Sequence, residues 1–329
     1  MAGGWVSRGL VDLQLNGALG IEFSELTDPM QLEKISRYLW SLGISGWLAT
    51  LISVPTEKLQ QAMAVIAQFT APKNGAKLLG VHLEGPFLNP EYEGAHLRHC
   101  LLDLTLENVR RVLGDYQSLV KLITVAPELD PEGKAITWLV EQGILVSLGH
   151  TSATFAEAQR AFDQGANLIT HLFNAQRPLH HREPGVIGAA LLDDRIHCLC
   201  IPDGIHLHPA TTQLILKLKG TGRVLPVSDA VAPLGMPDGQ YEWHGQMIRV
   251  KAGKVMREDG RLAGSALSQV DVVERLVSQV GVDPGTALQL CANNPWALLG
   301  IADFPSMNEV ADLVLWYPQA KRPIRFANL

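Results

Sequence analysis

Cysteine is scarce in this sequence, with 4 among 329 residues, and none of Cys100, Cys198, Cys200 and Cys291 falls in a CxxC pair. That excludes a disulfide framework and a thiolate zinc clip, and it fits a reducing compartment. Cys198 and Cys200 alternate within an apolar run, which places both on one face of a strand as small buried hydrophobes. Basic runs are missing too. Lys and Arg number 27 against 33 Asp and Glu, for a formal net charge of −6. No electropositive field is available to hold a phosphate backbone, so nucleic acid is not an expected partner. No window reaches the ~18 continuous apolar residues of a membrane span. Met1-Ala2-Gly3-Gly4 also lacks the charged and apolar segments of a signal peptide. The expectation is a cytoplasmic protein with no membrane partner.

What is present is apolar residue in quantity, 47% of the chain, enough to bury one large core. Short β-rich apolar runs alternate with amphipathic ones, the pattern of a parallel sheet with helices outside. Eight strands are expected at 10–15, 47–53, 78–83, 121–126, 144–149, 167–170, 196–201 and 224–228. Eight is the closing number of a TIM-type (β/α)8 barrel, so the fold class is α/β. Helix signals fall between the strands. Asp28, Pro29 and Gln31 form a cap and capping box, Leu32, Ile35, Leu39 and Leu42 form a stripe, and Gly43 stops the run. Thr154 with Glu157 opens another helix, whose apolar face is Phe155, Ala158 and Phe162 and whose stop is Gly165. The sixth unit offers only a short, Gly-interrupted helix over 184–194, so an irregular outer wall is expected there. A hairpin insertion is expected at about 241–262, and a tail from about 303 contains a strand, 311–316, with little left to pair with. The barrel proper is thus expected at 10–302, with 1–9 and 303–329 outside it.

In such a barrel the reactive groups follow the strands at their C-terminal ends. Strand three runs into Glu84, strand five into His150, strand six into His171 and strand eight into Asp229. One carboxylate and two imidazoles from different strands leave a fourth tetrahedral position open, which is how catalytic zinc is held. Asp229 then stands free as a general base. A single histidine at a strand end is more often a hydrogen-bonded core residue, but unrelated core histidines have no reason to share one rim. His82, two before Glu84, lies deeper and is read as supporting or packing. Glu128 either lines the pocket or braces a loop. Asn174, Arg182, His206 and His96 follow strands and could meet a substrate. Arg182 sits on a stiff Arg-Glu-Pro-Gly turn suited to a phosphate or carboxylate, or else pairs with Glu183. His206 either polarises a carbonyl or braces its loop. His180 and His181 read as loop residues.

These motifs resemble N-acetylglucosamine-6-phosphate deacetylases, a family of the amidohydrolase superfamily. The carriers are Val11-Asp12-Leu13-Gln14-Leu15-Asn16-Gly17, Leu83-Glu84-Gly85-Pro86-Phe87, Gly94-Ala95-His96, Gly149-His150-Thr151-Ser152-Ala153, Thr170-His171-Leu172-Phe173-Asn174-Ala175, Arg182-Glu183-Pro184-Gly185, Asp203-Gly204-Ile205-His206, Ser228-Asp229-Ala230-Val231-Ala232-Pro233 and Leu262-Ala263-Gly264-Ser265. The resemblance implies that Glu84, His150 and His171 bind one divalent metal, zinc being favoured. It makes Asp229 the base and then the acid, and sets His206 on the N-acetyl group. It also implies that His96 and the backbone at Asn174 and Ala175 meet the phosphorylated amino sugar, and that Arg182 binds the phosphate, in the neighbouring subunit of a homodimer. Gln14 and Asn16 stand where relatives with two metals carry His-x-His, so a single-metal enzyme is implied. Two departures stand out. The segment before Asp12 is shorter than the family's, which implies a tail strand without partners and 1–9 and 303–329 as remnants of a truncated or reduced small β-sandwich. Gln176 replaces an apolar methionine and could alter the pocket floor. Two other readings remain: an amidohydrolase for a different N-acyl sugar, and a non-catalytic sugar-phosphate binder, against which the intact Glu84, His150, His171 and Asp229 count.

Overall fold

The computed structural model describes residues 4–301, 312–317 and 323–325. Eight strands form one sheet: Leu10–Leu15, Ile44–Leu51, Lys77–Glu84, Val120–Val125, Leu145–Leu148, Leu168–Ile169, His197–Cys200 and Val224–Pro226, here strands one to eight. They lie side by side in chain order, every pair parallel. A parallel bridge from Leu15 to Ala230 brings the last strand back to the first and closes the barrel. All eight expected strands are present, with ends moved by up to three residues. Strand two starts earliest because Gly43, at φ +84, ends the preceding helix and lets the chain extend at once.

That helix, Pro29–Ser41, begins as its sequence dictates: Asp28 accepts the Met30 N–H at 2.8 Å and Gln31 accepts the Asp28 N–H at 3.1 Å. Phe155–Asp163 opens with the Thr154 and Glu157 box. Between sheet and helices lies the larger apolar layer. Inside the barrel, Val11, Leu13, Leu48, Leu122, Leu199 and Leu225 fill the lumen, and Trp296 stoppers its base with the indole N–H on Gly9 O at 3.1 Å.

Three expectations need correction. The sixth outer wall is a regular helix, Gly185–Leu192, with seven of its residues buried. Gly188 is needed there because a Cβ would stand 2.2 Å from Pro184 Cβ. Lys219 Nζ caps its C-terminal carbonyls, Ala190 O at 2.8 Å and Asp193 O at 2.5 Å. Second, the insertion is a four-stranded antiparallel meander, Gly239–Trp243, Gln246–Lys251, Lys254–Arg257 and Leu262–Ser265. Its first two turns place consecutive residues at positive φ, His244 then Gly245 and Ala252 then Gly253, the tight hairpin geometry that a twisted ribbon favours. Third, the tail strand Leu313–Trp316 has partners on both edges. It pairs antiparallel with Trp5–Arg8 on one side and Ile324–Arg325 on the other. Ala311, the first residue of the expected tail strand, falls outside the described residues. The pairing is anchored by Arg325, buried beneath the barrel, whose guanidinium donates to Trp40 O, Ser45 Oγ and Ile44 O at 2.7 to 2.9 Å and stacks 3.4 Å over the Trp40 ring.

Candidate active site

At the C-terminal rim the backbone itself is unusual. His150, His171 and Asp229 follow strands five, six and eight at φ +49, +29 and +47. Non-glycine residues in this region cost about 1–3 kcal/mol each and concentrate at functional sites. Here the twist turns each side chain inward over the barrel mouth. No residue type at these positions announces it.

The three expected donors converge. Glu84 Oε1 lies 3.1 Å from His150 Nε2 and 3.0 Å from His171 Nε2, and the two Nε2 atoms are 3.1 Å apart. Both rings donate backwards from Nδ1, His150 to Tyr92 O at 2.8 Å and His171 to Asn174 O at 3.2 Å. Those bonds fix the tautomer, so both Nε2 lone pairs aim at the carboxylate and at each other. Three electron pairs this close repel unless a cation lies among them. Their donor atoms all fall within 4.8 Å of one another, so the residues fit a single divalent ion held by two imidazoles and one carboxylate. The protein groups alone register the crowding. Where a proton rather than a cation occupies that space, burial opposes ionised Glu84, yet hydrogen bonds from the two rings hold its carboxyl well below the usual range. For His171, burial is outweighed by the bond to Glu84, and its pKa is raised.

Asp229 sits across from the donors. Gln14 Nε2 bridges the two carboxylates, donating to Glu84 Oε1 at 3.0 Å and Asp229 Oδ1 at 3.2 Å, and Asn16 Nδ2 donates to Asp229 Oδ1 at 2.8 Å. The strand-one amides therefore serve the carboxylates as donors. Sequence reasoning saw only that they were poor ligands. Burial, and then the Glu84 charge, push Asp229 up to about 7.

His206 is held by a carboxylate that the sequence reading passed over. Asp203 Oδ2 takes the ring Nδ1–H at 2.8 Å while its Oδ1 accepts the backbone N–H of Ile205 and His206 at 2.8 and 2.6 Å. The ring lines the cleft with Nε2 left over. His96 accepts from Ser53 N at Nδ1, 3.2 Å away, which leaves its Nε2 facing Glu84 Oε2 at 3.8 Å. His82 puts both ring nitrogens on threonine hydroxyls, Thr50 at 3.2 Å and Thr124 at 2.8 Å, so it packs beneath Glu84 and is no ligand. Glu128 braces the loop after strand five through Thr151, Ser152 and Asn89. Gln176 lies off the cleft, tying Phe173 N to Thr170 O, and does not form its floor.

The donors open into a cleft of about 290 Å³ that Asn16, His96, Asn174, Ala175, His206 and Asp229 help to line, at the small end of the ~300–1,000 Å³ typical of ligand pockets. Arg182 is not among its lining residues. It is exposed, with its guanidinium 2.9 Å from His181 Nε2, while Glu183 instead accepts the Phe155 and Gly185 N–H groups. No helix among the described residues is long and apolar enough to cross a membrane.

The sequence matches the amidohydrolase family over residues 5–326. It is 33% identical over 292 residues to an N-acetylgalactosamine-6-phosphate deacetylase of Escherichia coli O157:H7, covering 88% of this chain and 77% of that protein. It is 35% identical over 307 residues to the N-acetylglucosamine-6-phosphate deacetylase of Mus musculus, covering 90% and 75%. The fold superposes on the crystal structure of N-acetylglucosamine-6-phosphate deacetylase from Pasteurella multocida with a TM-score of 0.87 at 32% identity, covering 95% of this chain and 82% of that one.

Proposed function

This chain belongs to the amidohydrolase family and, within it, to the N-acetylglucosamine-6-phosphate deacetylases, and we propose that it cleaves N-acetylglucosamine 6-phosphate to glucosamine 6-phosphate and acetate. The observation that carries this reading is the meeting of Glu84, His150 and His171 within 4.8 Å, with Asp229 tied to Glu84 through one amide.

Glu84, His150 and His171 would hold the cation, and two imidazoles with one carboxylate favour zinc. When bound there it supplies Lewis acidity, which acidifies water towards neutral pH and polarises a carbonyl oxygen. The chain's own groups do the rest. Asp229 takes the proton from the attacking water at the oxygen not engaged by Asn16 and later gives it to the departing amine nitrogen. Gln14 and Asn16 keep that carboxylate in place. His206, oriented by Asp203, turns Nε2 to the oxygen of the N-acetyl group and polarises it. His96 and the loop at Asn174 and Ala175 hold the sugar and its phosphate. Arg182 supports a homodimer in this reading: an exposed guanidinium off its own cleft suits the phosphate end of a neighbour's. Four free, buried cysteines support a reducing compartment, which we take to be the cytoplasm. The chemistry then resides in 10–302, with 1–9 and 303–329 as the small β-domain.

Acetate release from N-acetylglucosamine 6-phosphate tests the proposal, measured with and without chelator in the wild type and in Asp229→Asn. The expected result is a chelator-sensitive activity that the substitution nearly abolishes. N-acetylgalactosamine 6-phosphate and unphosphorylated N-acetylglucosamine are run beside it, and faster turnover of either would reassign the substrate. Binding without acetate release in metal-loaded protein would make the chain a sugar-phosphate binder instead.

A further inference from the structure

The cleft has one apolar side, and the proposed reaction leaves it without a task. Ile52 follows strand two, Val231 follows strand eight, and Trp243 ends the first strand of the meander, and all three line the cleft while being almost entirely buried. This side stands over strands eight, one and two. Asn174 and Ala175, after strand six, are across the barrel from it.

Trp243 is held in an expensive way. Its indole Nε1 donates to Glu22 Oε2 at 3.0 Å, and its ring packs edge-on against His244 at 4.8 Å between centroids. The other oxygen, Glu22 Oε1, is buried with no hydrogen-bond partner and lies 3.8 Å from His244 Nε2, itself buried and unpartnered. Burying a carboxylate oxygen and an imidazole nitrogen without a hydrogen bond opposes folding, and the 3.8 and 3.9 Å approaches of the His244 ring to Glu22 and Glu25 are too long to supply one. A buried indole N–H needs an acceptor, but a backbone carbonyl would serve, as Gly9 O serves Trp296 at 3.1 Å, without leaving a carboxylate oxygen bare. The arrangement is explained if the ring must stay at one position and angle.

We propose that Trp243, pinned by Glu22, is the wall that sets the length of the N-acyl group the enzyme accepts. This rests on the deacetylase reading and adds a specificity residue to it. In a 2-acylamino sugar 6-phosphate the acyl group and the phosphate leave opposite sides of the pyranose ring. With the phosphate end held at Asn174 and Ala175 and the amide carbon beside the donors and Asp229, the acyl tail points to strands eight, one and two. Its methyl is the substrate's only apolar end, and Ile52, Val231 and Trp243 are the matching surface. A methyl fits against a fixed indole, whereas each added methylene must displace it.

The test uses the full-length, metal-loaded enzyme and three substrates, N-acetyl-, N-propionyl- and N-butyrylglucosamine 6-phosphate. Their shared product, glucosamine 6-phosphate, is measured. The readout is the kcat/KM ratio of butyryl to acetyl, which does not depend on how much of a variant is active. One methylene against a fixed apolar wall is worth about 10–200-fold in discrimination. Trp243→Ala is expected to raise the ratio by at least ~10-fold, Glu22→Ala to move it the same way by less, and Trp243→Phe to keep it near the wild-type value. Should the alanine variant fail to fold, Trp243→Leu and Glu22→Ala carry the same test. If the wild type deacetylates the N-acetyl substrate and the small-residue variants lose rate on all three substrates in equal proportion, Trp243 is only structural and the inference is overturned. A wild type inactive on all three overturns the deacetylase reading, and this inference with it.

Discussion

Asp203 and His206 form a pair whose joint action can be dissected by substitution. Asp203 is 1% exposed and accepts three N–H groups, from Ile205, His206 and the His206 ring, at 2.6 to 2.8 Å. Asp203→Asn keeps the shape and one acceptor oxygen for the backbone. Towards the ring it turns an acceptor into a donor, so Nδ1 must give up its proton and the paired negative charge is gone. A hydrogen bond to a charged group contributes about 1.5–3 kcal/mol, so kcat/KM should fall by roughly 10- to 150-fold. Losing the ring in His206→Ala removes a donor aimed at developing charge and should cost about 10²–10³. If Asp203 acts only through that ring, the double variant should be no worse than His206→Ala, within about 0.5 kcal/mol. Kinetics of the four proteins on N-acetylglucosamine 6-phosphate give the cycle, with thermal unfolding as a check on folding. Additive losses would refute the reasoning, because Asp203 would then matter for something other than His206.

Asp229 makes the metal-stripped protein less stable as pH rises. Its folded pKa is about 7 against the ordinary aspartate value of 3.8, so between those values the folded state holds the proton more tightly, and stability falls with pH across that window. Asp229→Asn should therefore raise the unfolding temperature of chelated protein at pH 8 and change it little near pH 4, and a pH-independent difference would contradict this. Gln14→Leu removes the amide between two carboxylates 3.0 and 3.2 Å away and should weaken metal affinity about 10–100-fold, read by chelator competition; unchanged affinity would deny Gln14 that role. Arg325→Leu takes a donor from Trp40 O, Ile44 O and Ser45 Oγ and should destabilise by about 1–3 kcal/mol while kcat, measured well below the unfolding temperature, stays unchanged. A large fall in kcat would mean that the base of the barrel is coupled to its mouth.

The metal donors were legible because each directly follows the end of an expected strand, and the barrel topology brings every such position to one rim. The eight strands were legible for the same reason of pattern. The features that escaped notice depend on pairing between distant segments. Trp5–Arg8 meets Leu313–Trp316 across nearly the whole chain, and no local periodicity announces that contact. No residue type near Arg325 announces that Trp40, Ile44 and Ser45 bury it. Gln14 and Asn16 were recognised for the ligands they are not, since their donor role exists only once strands three and eight stand beside strand one. Asp203 lay inside a noticed motif, but its contact with the His206 ring depends on a turn conformation that residue types alone do not fix. The sixth helix reads in sequence as short and irregular because it has no polar face, which is what a helix buried on every side looks like.

The most direct test of the central claim is elemental analysis of divalent metal in extensively dialysed protein, comparing the wild type with Asp229→Asn, His150→Ala and His171→Ala. The account predicts one ion per chain in the wild type, the same in Asp229→Asn despite its lost activity, and far less in either histidine variant. Full metal content in the histidine variants, or loss of the ion in Asp229→Asn alone, would contradict it.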